Sequence, residues 1–322
     1  MPRRYAEPTV WWSAVLSYPQ AIVIGLLQGV TELFPVSSLG HSVVVPALLG
    51  WDKLVGQQSA SESPYLAFLV GLHVATALAL LWFFRDEWKG ILAGLLRSLR
   101  RRRIQDADER LAWLLVIATM PAGLTGLAFE HQLRTVFAKP FAAACFLAVN
   151  GAILLAGERV RRRAEVRELA RARDRATDAG DGGTQRNPAS AAGSSGALDT
   201  LAGREALGIG VAQVLALLAG ISRSGITMVA GLVRGLDHDD AARFAFLLAT
   251  PIILAAGVYK LPDLLGHNGN GIRGQVVVGS LVAAAAAYVS VRFLVRYFTS
   301  RDLTPFGVYC LLLGLALAIH FG

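Results

Sequence analysis

The chain has 322 residues, of which 54% are hydrophobic and only 17% charged, with a formal net charge of +8. A mean hydropathy of +0.49 excludes both an ordinary soluble domain and a disordered polyelectrolyte. The basic residues cluster beside apolar runs, which fits membrane lipids and a membrane surface better than a nucleic-acid partner.

Arg3 and Arg4 precede an apolar run, but that run leads straight into polar residues, so no cleavable signal peptide is expected. The stretch Gln28–His41, QGVTELFPVSSLGH, then places a glutamate, two serines and a histidine inside apolar text. Ionisable residues at bilayer depth are costly and mark function by default. Pro35, Gly29 and Gly40 predict a broken helix, and irregular backbone at that depth must line a protein-enclosed or watery cavity. Glu32 reads as a general acid/base, a metal ligand or the ion-pair partner of Arg223. Ser37 and Ser38 read as a nucleophile and its helper, or as caps for a restarting helix. His41, one turn beyond Ser38, is placed to act as a base on its hydroxyl.

Six apolar runs long enough to cross a bilayer follow, about Tyr65–Phe84, Leu111–Phe129, Phe141–Gly157, Ala241–Tyr259, Gln275–Val295 and Thr304–His320. Arginines gather at 97–103, at 159–175 and at 292–301. The positive-inside rule puts all three clusters in the cytoplasm and both termini outside, provided the segments around Gln28 and Gln213 enter and leave on one side. Cys145 and Cys310 lie within apolar runs, so no disulfide framework is expected. Between Arg159 and Leu201 the text turns charged, then rich in Gly, Ser, Ala and Asp. Its first part extends a helix out of the membrane and its second part reads as a disordered cytoplasmic insertion.

The chain repeats itself. A shift of 185 positions lays Ala21 on Ala206, Gly25 on Gly210, Gln28 on Gln213, Ser37 on Ser222 and Gly40 on Gly225. Each copy precedes three spans, and the charge asymmetry orients the halves oppositely, as in an inverted-topology repeat with one composite site where the broken helices meet. The expected organisation is a first repeat at 1–158 with its re-entrant motif at 21–50, an insertion at 159–201, and a second repeat at 202–322 with its motif at 206–235. The expected fold is therefore an all-α integral membrane protein of six transmembrane helices and two re-entrant broken-helix hairpins. The second motif, AGISRSGIT, centres on Arg223 among Ser222, Ser224 and Thr227, a set suited to phosphate oxygens.

The pairing of QGVTELFPVSSLGH with AGISRSGIT resembles the undecaprenyl-pyrophosphate phosphatase family of bacterial membrane proteins. The resemblance runs on through FAFLLATP (Phe244–Pro251) and TPFGVY (Thr304–Tyr309) and covers nearly the whole chain outside the insertion. It implies hydrolysis of a C55 isoprenoid diphosphate to the monophosphate, recycling the lipid carrier of cell-wall polymers. It also implies a multi-pass protein of the bacterial cell membrane with a site open to the extracytoplasmic side. By matching position, Glu32, Ser38, His41 and Arg223 are the expected catalytic residues, and Ser37, Ser222, Ser224 and Thr227 the expected phosphate-binding ones. A divalent cation, Mg²⁺ or Ca²⁺, would fall to Glu32 and Gln28. Gln28 stands where many members have a glutamate, and a neutral amide is the weaker ligand. Ala219 replaces the usual proline before Gly220. A homodimer is compatible with this reading. The rival reading is a transporter or lipid flippase of the same architecture, which needs no nucleophile.

Overall fold

A computed structural model describes residues 16–51, 54, 56, 63–137, 139–178, 197–266 and 271–322, and every regular element among them is helical. Helices α1 (Tyr18–Thr31) and α2 (Ser38–Leu48) flank a first break. They are followed by α3 (Pro64–Phe83), α4 (Arg85–Arg101), α5 (Ala107–Phe137) and α6 (Pro140–Asp178). After a single turn at Ala197–Thr200, α7 (Gly203–Gln213) and a 3₁₀ turn (Val214–Leu217) lead through a second break into α8 (Arg223–Val233). Helices α9 (His238–Leu265), α10 (Arg273–Phe298) and α11 (Thr304–Phe321) complete the chain.

Six of these helices carry stretches long and apolar enough to cross a membrane: Pro64–Phe83, Ala107–Phe129, Pro140–Asp174, His238–Lys260, Arg273–Phe298 and Thr304–Phe321. They coincide with the six runs expected from the sequence. Burial follows the same logic. Leu124, Leu281, Val289 and Ile319 face outward, Ile319 with 84% of its surface exposed, whereas Gln28, Glu32, His41, Asn150 and Ser222 are buried. Apolar outside and polar inside is the distribution expected when the surrounding solvent is lipid.

The helices approach one another through small residues, as lipid-embedded packing requires. On α1, a Cβ added to Gly29 would stand 2.3 Å from the Ala283 carbonyl oxygen of α10, and one on Gly25 would stand 2.5 Å from that of Gly279. In the second half, Gly210 of α7 lies as tightly against Ala118 of α5. Helices α6 and α11 meet the same way, at Gly151 and Gly314. Because α1 carries Gln28 and ends beside Glu32, this contact also aims the site. Gly29→Ala is expected to destabilise the protein by about 1–3 kcal/mol through overpacking, seen as a lower unfolding temperature in detergent. An unchanged transition would mean that α1 and α10 separate freely.

Residues 85–101, which look like part of an arginine cluster, form helix α4, burying Trp88, Ile91, Gly94 and Ser98 against its neighbours. The charged text after Gly157 continues α6 to Asp178, as expected. The Gly/Ser-rich part of the insertion, 179–196, lies outside the described residues. Deleting Thr177–Ala197 is expected to leave detergent-solubilised activity within a few-fold, because a sequence without apolar periodicity contributes little packing. A folded deletion variant without activity would contradict this.

Candidate active site

The two breaks face each other, and their backbones are stitched together. Ser37 and Ser222 occupy the same place in each: both cap the following helix, their hydroxyls accepting from Gly40 N and Gly225 N at 3.2 Å. Ser37 has φ +71, a left-handed conformation that strains a side-chain-bearing residue by about 1–3 kcal/mol. The surroundings hold it there. Its hydroxyl also accepts from Gly220 N of the opposite break at 3.2 Å, and its carbonyl accepts from His41. Gly220 itself has φ +114, and a Cβ on Gly40 would stand 3.0 Å from Gly220 Cα, so glycine is needed on both sides. Asn150 of α6 closes the seam: its Nδ2 donates to Pro35 O at 3.1 Å and its Oδ1 accepts from Ser222 N at 2.9 Å.

Glu32, at the end of α1, is the hub. Its Oε1 accepts from Arg223 Nη2 at 2.5 Å. Its Oε2 accepts from Ser38 Oγ at 2.5 Å and from Gln28 Nε2 at 2.9 Å. Arg223 is the first residue of α8 and Ser38 the first of α2, so two helix N-termini bring their positive ends to one carboxylate. A buried carboxylate persists when paired and hydrogen-bonded in this way. Arg223 is not used up by the pairing, because its Nη1 is buried without a partner.

The remaining sequence candidates separate into two groups. Ser222 and Ser224 are hydrogen-bonded to each other at 3.0 Å, and Ser224 donates to Phe34 O at 3.2 Å, so both serve the seam between the breaks. Thr227 is buried on α8 one turn beyond Arg223. His41 is not hydrogen-bonded to Ser38. Its Nδ1–H donates to Ser37 O at 2.7 Å, which leaves Nε2 to accept from the hydroxyl of Tyr309 at 2.9 Å. The group on the Ser38 hydroxyl is Glu32, so the expected serine–histidine pair is replaced by a serine–glutamate pair.

Three neighbours were not singled out for the site from the sequence. Tyr309 of α11 stacks on the His41 ring as well as bonding to it. His73 of α3 bonds the carbonyl of Leu69 in its own helix at 2.8 Å and brings Nε2 to 3.5 Å from Glu32 Oε2. Asn150 is a lone polar residue in the middle of the apolar run Phe141–Gly157. The TPFGVY match was the signal for Tyr309. For His73 and Asn150 no signal beyond a polar residue in a span was available.

No group of three or more His, Cys, Asp or Glu side chains suited to a metal ion occurs among the described residues. The carboxylate and side-chain amide oxygens at the site are those of Glu32, all engaged, and Gln28 Oε1, which is buried without a partner. Two donors do not make a protein cage for Ca²⁺. They fit Mg²⁺ only in its usual manner, with most of its shell left to substrate phosphate and water.

A family model described as bacitracin resistance protein BacA matches residues 21–316, taking in both breaks, five of the six spans and most of the sixth. The chain belongs to the BacA family. Undecaprenyl-diphosphatase 2 of Frankia alni is 57% identical over 95% of this chain and 98% of its own length. The undecaprenyl-diphosphatase of Mycolicibacterium paratuberculosis is 57% identical over 94% and 96%. That of Acidiphilium cryptum is 45% identical over 91% and 94%. Membership of the BacA family is thus carried by the whole chain and does not rest on two short motifs.

Proposed function

We propose that this chain hydrolyses undecaprenyl diphosphate to undecaprenyl phosphate and inorganic phosphate. The observation that carries the reading is the Arg223–Glu32–Ser38 cluster: a guanidinium with a free nitrogen, a carboxylate and a serine hydroxyl, at the starts of two facing helices. The relatives described above are named for this activity. Arg223 Nη1 and the two helix N-termini take the terminal phosphate, supplying the electrostatic stabilisation that phosphoryl transfer depends on. Ser38 Oγ attacks the terminal phosphorus and passes its proton to Glu32 Oε2. The bond from that phosphorus to the bridging oxygen breaks, and the lipid monophosphate departs. Water then attacks the phosphoserine, inorganic phosphate leaves, and the proton on Glu32 returns to Ser38 Oγ.

His41, with both ring nitrogens committed, orients the start of α2 through Ser37. Glu32 and Gln28 Oε1 would be the residues to hold a divalent cation, whose charge would help neutralise phosphate oxygens. The isoprenoid chain lies against the apolar spans.

The two halves, 1–158 and 202–322, are related as inverted repeats. Supporting this, Ser37 and Ser222 cap their helices through the same side-chain hydrogen bond at the 185-residue offset, though with different backbone conformations. The packing is also reciprocal, with α1 of the first half lying on α10 of the second and α7 of the second on α5 of the first. The protein sits in the bacterial cell membrane with α1–α2 and α7–α8 re-entrant and the site open to the extracytoplasmic side. The arginine clusters, all placed on the opposite side by the positive-inside rule, support that orientation.

Reconstitution in vesicles tests the reading against transport. With undecaprenyl diphosphate supplied on one face, inorganic phosphate should appear in step with the monophosphate. Movement of intact diphosphate across the bilayer without phosphate release would establish the transporter reading instead.

A further inference from the structure

We propose that helix α4 is an interfacial anchor that lays a leucine stripe into the membrane surface and binds anionic lipid headgroups through the basic residues around it. Helix α4 follows the span α3 after one residue, Phe84, whose φ of −94 and ψ of 25 break the helix and turn the chain. It crosses the ends of two other spans. Arg97 pairs with Asp106 at 2.9 Å just before α5, Trp113 of α5 donates to Ser98 at 3.0 Å, and Arg243 near the start of α9 bonds Glu87 at 2.9 Å. A helix held across the ends of spans, and not alongside them, lies at the level where hydrocarbon gives way to headgroups.

Around its circumference α4 presents three faces. Trp88, Ile91 and Ser98 are buried against the protein. Next to them Leu92, Leu96 and Leu99, at the spacing of successive helical turns, are more than half exposed at 52%, 56% and 53%. Beyond these the solvent side carries Lys89 and Arg100, and Arg101, Arg102 and Arg103 follow at the end. Asp86 pairs with Lys89 and Glu87 with Arg243, so the charge left for headgroups is that of Arg100–Arg103 at the end of the helix.

Lipid is the occupant these features select. The leucine stripe continues the outward apolar surface of α3, where Leu78 and Trp82 are exposed at 52% and 65%. A soluble partner covering the leucines would have to reach into the bilayer margin beside them. The arginines set against the stripe match anionic headgroups, since basic residues near such a surface are attracted to its negative potential.

Depth-dependent quenching tests this on the full-length protein. A Leu96→Cys variant in a Cys145→Ala background is labelled with an environment-sensitive fluorophore and reconstituted in phosphatidylcholine vesicles with and without phosphatidylglycerol. Arg167→Cys on the exposed part of α6 serves as the aqueous control. The probe at 96 should be quenched by spin-labelled lipid and protected from aqueous iodide. Headgroup-labelled phosphatidylglycerol should quench it at least about twofold more than the phosphatidylcholine analogue. Changing Arg100, Arg101, Arg102 and Arg103 together to Gln should erase that preference while the probe stays inserted. Iodide access equal to that at Arg167→Cys would overturn the anchor. An inserted probe with no preference between the two lipids would overturn the anionic-lipid assignment.

Discussion

Arg223→Lys is expected to abolish nearly all turnover while leaving the fold intact. Lysine keeps the positive charge beside Glu32, so the buried carboxylate is not abandoned and the cost of an uncompensated charge is avoided. What is lost is the fork. In the present geometry one guanidinium nitrogen holds Glu32 while Nη1 is buried without a hydrogen-bond partner. A single ammonium cannot hold the carboxylate and reach phosphate with a second, fixed donor. Removing one preorganised donor of this kind lowers turnover by about 10²–10³-fold. The check is phosphate release by purified variant and wild type at equal concentration, with matched unfolding temperatures. Near-wild-type turnover in Arg223→Lys would mean that Arg223 is only the structural counter-ion of Glu32.

Ser38→Ala and His41→Ala together separate the candidate nucleophiles. Ser38 lies on Glu32, and His41 lies on Ser37 and Tyr309. If Ser38 attacks phosphorus, its removal should cost orders of magnitude in kcat with little change in KM, since Arg223 and the helix N-termini still bind the diphosphate. His41→Ala should cost less. It loosens the strained backbone at Ser37 and the start of α2, but the serine–glutamate pair survives. A reversed ranking, with substantial activity in Ser38→Ala and a trappable phosphohistidine in wild type, would transfer the nucleophile to His41 and leave the hydrolysis itself standing.

Much of this architecture can be read from the sequence because lipid imposes strong rules. Six helices are legible from length and hydropathy alone, since a bilayer tolerates few alternatives. The site is legible as polar residues where none should be: Glu32, Ser38 and Arg223 stand out against their apolar text. Their meeting across 191 positions is what an expected composite site between the two motifs requires, and ion pairing with Arg223 is among the roles the sequence leaves open to Glu32. The partners of His41 are less legible. One turn on a helix brings His41 within reach of Ser38 on paper, but the left-handed backbone at Ser37 offers its ring the Ser37 carbonyl instead, and Tyr309, 268 residues away, takes the other nitrogen. Asn150 and His73 are tertiary neighbours whose register against the breaks no local pattern encodes. Helix α4 was masked by its own arginines, which read as a topogenic cluster before they read as one face of a helix.

The measurement that bears most directly on the account is the product balance of wild type and Glu32→Gln with undecaprenyl diphosphate in detergent. Glutamine keeps the shape of the hub but cannot take the Ser38 proton. Wild type should release inorganic phosphate and undecaprenyl phosphate in equal amounts. Glu32→Gln, folded as judged by its unfolding temperature, should be slower by about 10²-fold or more. Wild type that returns the diphosphate intact, or Glu32→Gln that releases phosphate at the wild-type rate, would contradict hydrolysis at the Arg223–Glu32–Ser38 cluster.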